Sequence, residues 1–580
     1  MVCRFWKSRR FLLVGSVFAA VVVGALVAVL VLQPWVGPEH PRFPRATVAA
    51  NGYECATIGR QILEKNGSAV DAAIATLFCE GLGCAQCMGL GGGFLATVYD
   101  AATGRVRVLN ARERAPAATR ENMYENASST VGGLAVAVPG ELRGYGALYQ
   151  EYGRLPWREL VQPSAELSRR GHRVSEYMGR VLQSYSDRIM AEPSMREVYV
   201  NEATGKVWNE GDLITDPTLA RTLDIIAEEG PEAIHNGSLT ARLVQDIQNF
   251  GGIVTEDDLG NFRAEWQEPI AVPLSEEHTL YSVPLPGSGS VLAFILNLLR
   301  DWAGGTDAPP ASPLYWHRVV ETFKYAYAKR TGLGDPSRSN LPYDIRELER
   351  NLSSAEWART YRARVNDSQT YNDWRHYEAL FQGADDHGTA HVVVVAPDGS
   401  VVSATSTINY IWGAQRRSQS LGIMLNNEMD DFAIPGRESS YGLPPSPANM
   451  LAPGLQPLSS MVPSIVISKS GTADLVVGAA GGTRITTQVA LITRFIMLEG
   501  ASLPEVIRRP RLHHQLLPME VQHEANFDST VIEGLQSRGH VTRELGPTAG
   551  FAAMVAAARD PSGQLVPQTD PRRIGSIDGF

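Results

Sequence analysis

Residues Phe11 to Leu32 form 22 consecutive uncharged, mostly apolar positions, a run that cannot share a folding environment with the mixed sequence after it. As a helix rising about 1.5 Å per residue it would reach about 33 Å, enough to cross bilayer hydrocarbon. Arg4, Lys7, Arg9 and Arg10 precede the run without any acid, and Trp35 follows where an indole ring favours the interface. A cleaved secretory leader has a shorter apolar core and a small-residue cleavage site. The pattern predicts a single-pass type II plasma-membrane protein: a cytoplasmic tail (1–10), a signal anchor (11–32), a Pro-rich stem (33–46) and an extracellular body.

Two features agree with that side. Asn-x-Ser/Thr sequons at Asn66, Asn126, Asn236, Asn351 and Asn366 are candidate glycan acceptors. Of five cysteines, Cys3 falls on the tail, while Cys55, Cys79, Cys84 and Cys87 lie beyond the anchor. Cys84-Ala-Gln-Cys87 is a lone CxxC without the second pair that zinc needs, which leaves an oxidised pair or two buried thiols. The chain carries 52 Lys+Arg against 62 Asp+Glu, a net charge of -10, and the basic tail makes the body more acidic still. Phosphate backbones would repel it, so no nucleic-acid partner is expected. At 580 residues and 44% hydrophobic, the chain has enough material for its own core and does not read as a disulfide scaffold.

Along the body, residues 54–82 read as two helices. The first ends at Asn66-Gly67, and Ser68 caps an Ala-rich inner helix. Gly89 to Gly93 precedes the strand Phe94–Tyr99 instead of joining a strand to a helix, so it reads as close backbone packing and not as a dinucleotide loop. From Val131 to Leu380 amphipathic helical stretches alternate with Gly/Pro punctuation and suggest no site. His391–Ala396, the turn Pro397–Ser400 and Val401–Ile408 form a hairpin signal, and Val476–Ala480 and Ala552–Ala557 add short buried strands. Helices early and paired strands late suggest an α+β arrangement of helices layered on sheets.

The densest polar stretch is Asp385-Asp386-His387-Gly388-Thr389-Ala390-His391. His387 and His391 have zincin spacing, but that spacing works only on a helix. On a strand they would stand about 13 Å apart, too far to share an ion, so no metal site is expected. There is no GxSxG elbow for a serine hydrolase. Thr389 remains. Scission of the Gly388–Thr389 bond would give it a free α-amine, with a pKa of about 8, placed to activate its own hydroxyl.

Asp386–His391, Ser403–Asn409, Asn426–Phe432, Pro457–Met461 and Gly478–Thr483 together resemble the gamma-glutamyltransferase family, as do Asn110–Glu113 and Ala137–Glu141 upstream. The resemblance runs from about Thr47 to the C-terminus. It implies an N-terminal-nucleophile hydrolase, a four-layer αββα sandwich cleaved autocatalytically into a large subunit ending at Gly388 and a small subunit, 389–580, that stay associated. It further implies that γ-glutamyl compounds, chiefly glutathione and its S-conjugates, donate a γ-glutamyl group to Thr389, which passes it to water or to an acceptor amino acid or dipeptide; the alternative is a relative acting mainly on other γ-glutamyl amides or on glutathione S-conjugates such as leukotrienes. No cofactor is implied.

The resemblance also assigns roles. Arg112, with Ser459 and Ser460, would bind the α-carboxylate of the γ-glutamyl head, a task suited to a guanidinium fork. Asn409, Glu428 and Asp431 would take its ammonium. Gly481 and Gly482 match the oxyanion position, where N–H groups must approach without a Cβ between. Thr407 would hydrogen-bond Thr389, and Cys55 and Cys79 match a family disulfide. His513-His514 looks like a metal pair but falls in a segment that supports packing. His387, Cys84 and Cys87 depart from the family pattern. An unprocessed surface scaffold is the rival reading.

Overall fold

The segment Ala390–Val395 lacks polar alternation because both of its faces are covered. Val392 and Val394 enter a core shared with helices, whereas Val393 and Val395 enter a second core shared with another sheet. This computed structural model describes residues 40–300, 308–309, 312–381, 388–436, 443–546 and 551–580. The tail, the anchor, most of the stem and residues Asp385 to His387 lie outside the described residues. No helix among the described residues is long and apolar enough to cross a membrane.

Ala390–Val395 pairs antiparallel with Val401–Thr407, from Ala390 opposite Ser406 to Val395 opposite Val401. The reversal between them places Gly399 at φ 87°, a conformation glycine adopts without strain. Around this hairpin a seven-stranded sheet assembles in the order Ser576–Gly579, Thr47–Ala50, Ala390–Val395, Val401–Thr407, Gly93–Asp100, Arg105–Ala111 and Glu265–Gln267. A six-stranded sheet runs Leu565–Thr569, Ala553–Arg559, Ala473–Ala480, Ser464–Ser468, His278–Ser282 and Ile270–Pro273.

Helices Cys55–Glu64, Ala69–Gly83 and Glu141–Tyr152 cover the outer face of the first sheet, and Trp157–Arg170 packs on Ala69–Gly83. Gly289–Arg300 and Arg484–Met497 cover the second, and Pro313–Arg330 packs on Gly289–Arg300. The layers therefore stack αββα, as the resemblance implied. Within the helical layer, Ser68 and Asp71 close a reciprocal capping box on Ala69–Gly83. A disulfide joins that helix to its neighbour through Cys55 and Cys79.

Two expectations need correction. Helices do not come early and strands late: each sheet takes strands from both halves of the chain. The reason lies in strands such as Glu265–Gln267 and Ile270–Pro273, which are too short to carry a legible alternation yet complete the sheet edges. The stem also ends sooner than residue 46. Phe43 exchanges backbone hydrogen bonds with Leu565, both 2.9 Å, and the Arg45 and Ala46 amides donate to the Phe580 carbonyl at 3.0 and 3.1 Å. The body begins at Arg42.

The Gly89–Gly93 loop is close packing, as read. A Cβ on Gly91 would collide with the carbonyl of Met424, and one on Gly92 with that of Thr407. These contacts press the loop against the end of the hairpin where Thr407 and Thr389 meet.

Candidate active site

Thr389 precedes the first residue of its strand and is buried. In the continuous chain its hydroxyl and that of Thr407 both donate to the Gly388 carbonyl oxygen, each at 2.5 Å. The Asn409 amide donates to Thr407 Oγ1 at 2.8 Å and orients it. Two hydroxyls thus converge on one peptide carbonyl, polarising it and setting an alcohol beside its carbon. Gly388 is required by space: a Cβ there would strike the Asn409 carbonyl.

Asn409 adopts φ 70°, which Asn tolerates, and its Nδ2 donates to the Asn427 carbonyl at 3.1 Å. That contact leads to Glu428 and Asp431 in the short 3₁₀ turn Glu428–Asp431. Here the structure adds something sequence reasoning did not foresee. Arg112 is fully buried and pairs directly with both acids, through Nη1 to Glu428 Oε1 and through Nη2 to Asp431 Oδ2 at 2.6 Å. Its Nε donates to the Pro457 carbonyl at 3.3 Å, which ties the group to the Ser459-Ser460 segment.

The serines are held from another side. Arg330 Nη2 donates to Ser460 Oγ at 3.0 Å, and Ser288 Oγ donates to the Ser459 carbonyl at 2.6 Å. Arg330 comes from the middle of the chain, where the sequence suggested nothing. Glu113 was also missed as a candidate. It is buried with no hydrogen-bond partner for either oxygen among the described residues, and Arg112 Nη1 lies 3.7 Å away. Burial pushes its carboxyl up to about 8 against the pull of Arg112.

Thr389 also borders a cavity of about 470 Å³. Ala480 and Gly481 continue the wall, and Gly481 and Gly482 adopt φ 139° and 61° just before the helix that starts at Arg484. The remaining lining includes Tyr177, Arg180, Arg484, Phe551, Arg572 and Arg573, with Glu524 the one carboxylate among the described residues. Glu524 is engaged by Arg572 at 2.5 and 2.6 Å, so the cavity is net cationic. Arg112, Asn409, Glu428, Asp431, Ser459 and Ser460 do not line it.

The histidine candidates resolve into packing. His391 sits on its strand between the sheets, against Gly478, with Nδ1 2.8 Å from Thr405 Oγ1, and burial lowers it to about 3. His513 Nδ1 meets Thr487 Oγ1 at 2.9 Å, whereas His514 Nδ1 accepts from the Leu516 amide. The two rings thus serve different partners. His317, Glu321 and His540 do lie close enough for an ion. However, His317 Nδ1 and His540 Nε2 share a hydrogen bond at 2.8 Å, and Lys324 Nζ stands 3.5 Å from Glu321. This is a compensated polar network that ties the helix Pro313–Arg330 to the segment after Gln536. Cys84 and Cys87 are free and buried. Asn66, Asn126 and Asn236 are exposed, and Asn351 and Asn366 are half-buried.

The Gamma-glutamyltranspeptidase family profile matches residues 55–580. The chain belongs to that family. Among its relatives, Scoloptoxin SSD14 of Scolopendra dehaani is 40% identical, over 93% of this chain and 92% of its own. Glutathione hydrolase 5 proenzyme of Mus musculus is 36% identical over 96% of this chain and 97% of its own. The crystal structure of cephalosporin acylase from Bacillus halodurans superposes with a TM-score of 0.80 over 94% of this chain and 98% of that one, at 22% identity, a likeness of fold. The fold is that of the N-terminal-nucleophile hydrolases.

Proposed function

We propose that this family member is a self-processing glutathione hydrolase and γ-glutamyltransferase. The observation that carries the reading is the convergence of the Thr389 and Thr407 hydroxyls on the Gly388 carbonyl. Thr389 Oγ1 attacks that carbonyl carbon, the peptide bond becomes an ester, and the departing nitrogen takes the proton. Water then cleaves the ester, leaving a Gly388 carboxylate and a free α-amine on Thr389. The large subunit ending at Gly388 and the small subunit 389–580 remain woven together, because Ala390–Val395 lies between Thr47–Ala50 and Val401–Thr407 in one sheet.

In turnover the α-amine accepts the Thr389 hydroxyl proton as Oγ1 attacks the γ-carbonyl of the donor. The Gly481 and Gly482 amides face the oxyanion, and the proton passes to the leaving amine. Water or an acceptor amine then releases the γ-glutamyl group from Thr389. Arg112 and Ser459-Ser460 hold the head's carboxylate, and Glu428, Asp431 and Asn409 hold its ammonium. Asn409 Oδ1 is a buried acceptor with no partner among the described residues, which suits a donor such as ammonium. The guanidinium-lined cavity suits a leaving peptide that ends in a carboxylate. Its apolar walls, Ile411, Leu545 and Phe551, also have room for a glutathione S-conjugate. The sequence further supports anchorage by residues 11–32, an extracellular body and glycan at the sequons.

Purified protein given glutathione should release glutamate, and adding glycylglycine should divert product to γ-glutamyl-glycylglycine. Thr389→Ala should stay a single chain and lose turnover by on the order of 10⁴-fold or more. Release of glutamate at the native rate by that variant would refute the assignment, and a native protein that never cleaves would favour a scaffold.

A further inference from the structure

Cys84 and Arg573 are parts of the site that this mechanism leaves unused. Arg573 is buried, and its Nη1 donates to the Thr389 carbonyl oxygen at 2.6 Å. Its Nη2 donates to Cys84 Sγ at 3.1 Å, and its guanidinium stacks over the Tyr177 ring at 4.5 Å. Three elements therefore fix one cation against the backbone of the residue proposed to act. Within one residue the amide nitrogen and carbonyl oxygen are separated by less than about 4 Å, so Arg573 Nη1 lies within about 7 Å of the Thr389 nitrogen.

Cationic groups outnumber anionic ones around it. Burial and the nearby Glu80 charge push the Cys84 thiol well up, so it accepts as a neutral group. Burial raises Glu80 itself to about 7, and the Gly52 amide donates to it at 2.5 Å. From the helix Glu176–Ser184 come Tyr177, whose phenol burial also raises, and Arg180. Across the cavity stand Arg484 and the Arg572–Glu524 pair. On the strand side His391 is neutral. The field at Thr389 is cationic.

We propose that Arg573, seated by Cys84, is a positioning residue that fixes the Thr389 carbonyl and biases the freed α-amine toward its neutral, proton-accepting form. The inference rests on the reading that Thr389 becomes N-terminal. A cation within about 7 Å disfavours the ammonium, so the amine loses its proton at a lower pH than an ordinary α-amine, about 8. That leaves it a base at neutral pH without another side chain to serve as one.

The test is the acid limb of kcat/KM against pH for glutathione. In the native enzyme the limb should fall below pH 7. Arg573→Gln should move it up by about one unit, while Arg573→Lys, which keeps the charge, should hold it near the native value even if kcat falls. Cys84→Ser, which still accepts a hydrogen bond, should leave it in place. A fall in kcat with an unmoved limb in Arg573→Gln would make the residue merely structural and overturn the proposal. Should that variant fail to mature, acetic anhydride labelling of the native Thr389 α-amine across pH decides. Half-reactivity below pH 7 supports the proposal, and half-reactivity at 8 or above overturns it. A native protein with no N-terminal Thr389 would instead defeat the parent reading.

Discussion

The buried Arg112 group and the cavity beside Thr389 are built on different principles. In one, Arg112, Glu428 and Asp431 are sealed from solvent, with one guanidinium shared between two carboxylates. In the other, Arg180, Arg484 and Arg573 line an open cavity with an excess of positive charge. The sealed side suits a zwitterionic head that must be recognised exactly, since each of its charges can exchange with a partner already in place. The open side suits variable leaving groups and acceptors that share only a carboxylate. Strict donor recognition and tolerant release would then be properties of separate walls.

That division can be broken from the sealed side first. Arg112→Lys retains charge but cannot meet Glu428 and Asp431 together. One buried carboxylate then loses a partner, which costs about 2–3 kcal/mol. The KM for any γ-glutamyl donor should rise by about 30-fold or more, whatever its leaving group, with a lower Tm. An unchanged KM would remove Arg112 from head recognition. At the seam, Gly388→Ala drives a methyl into the Asn409 carbonyl. Overpacking of about 1–3 kcal/mol should slow processing by about 5- to 150-fold, followed by the appearance of fragments on a denaturing gel. The matured variant should turn over normally, because residue 388 is no longer joined to the small subunit.

The smallest effect belongs to the open side. Arg484→Gln should lower kcat/KM for glutathione by about tenfold and leave a donor with an amidated C-terminus unaffected, as expected for one partly exposed ion pair. Equal losses on both donors would mean that the cavity does not read the carboxylate, and the contrast between walls would fail.

The same contrast explains what was legible beforehand. The hairpin 391–408 announced itself because a β-branched run, a Pro-Asp-Gly-Ser turn and a second run are contiguous, and Thr389 and Thr407 sit at its open end. The motif residues Arg112, Asn409, Glu428 and Asp431 were each named, yet not their pairing, because charge complementarity across 316 residues leaves no local pattern. Tyr177, Arg180 and Arg573 were invisible for the same reason. Each stands alone in its own segment, and only the docking of the helix Glu176–Ser184 and the C-terminal segment brings them to Thr389. From sequence alone the CxxC motif fits either two thiols or a bridge. Its contact with Arg573 now accounts for Cys84.

The account depends most directly on the new chain end at Thr389. N-terminal sequencing of the smaller fragment of active, purified protein should read Thr-Ala-His, with an intact mass matching residues 389–580 plus any glycan. A fully active preparation whose smaller fragment starts elsewhere, or that remains one uncut chain, would contradict it.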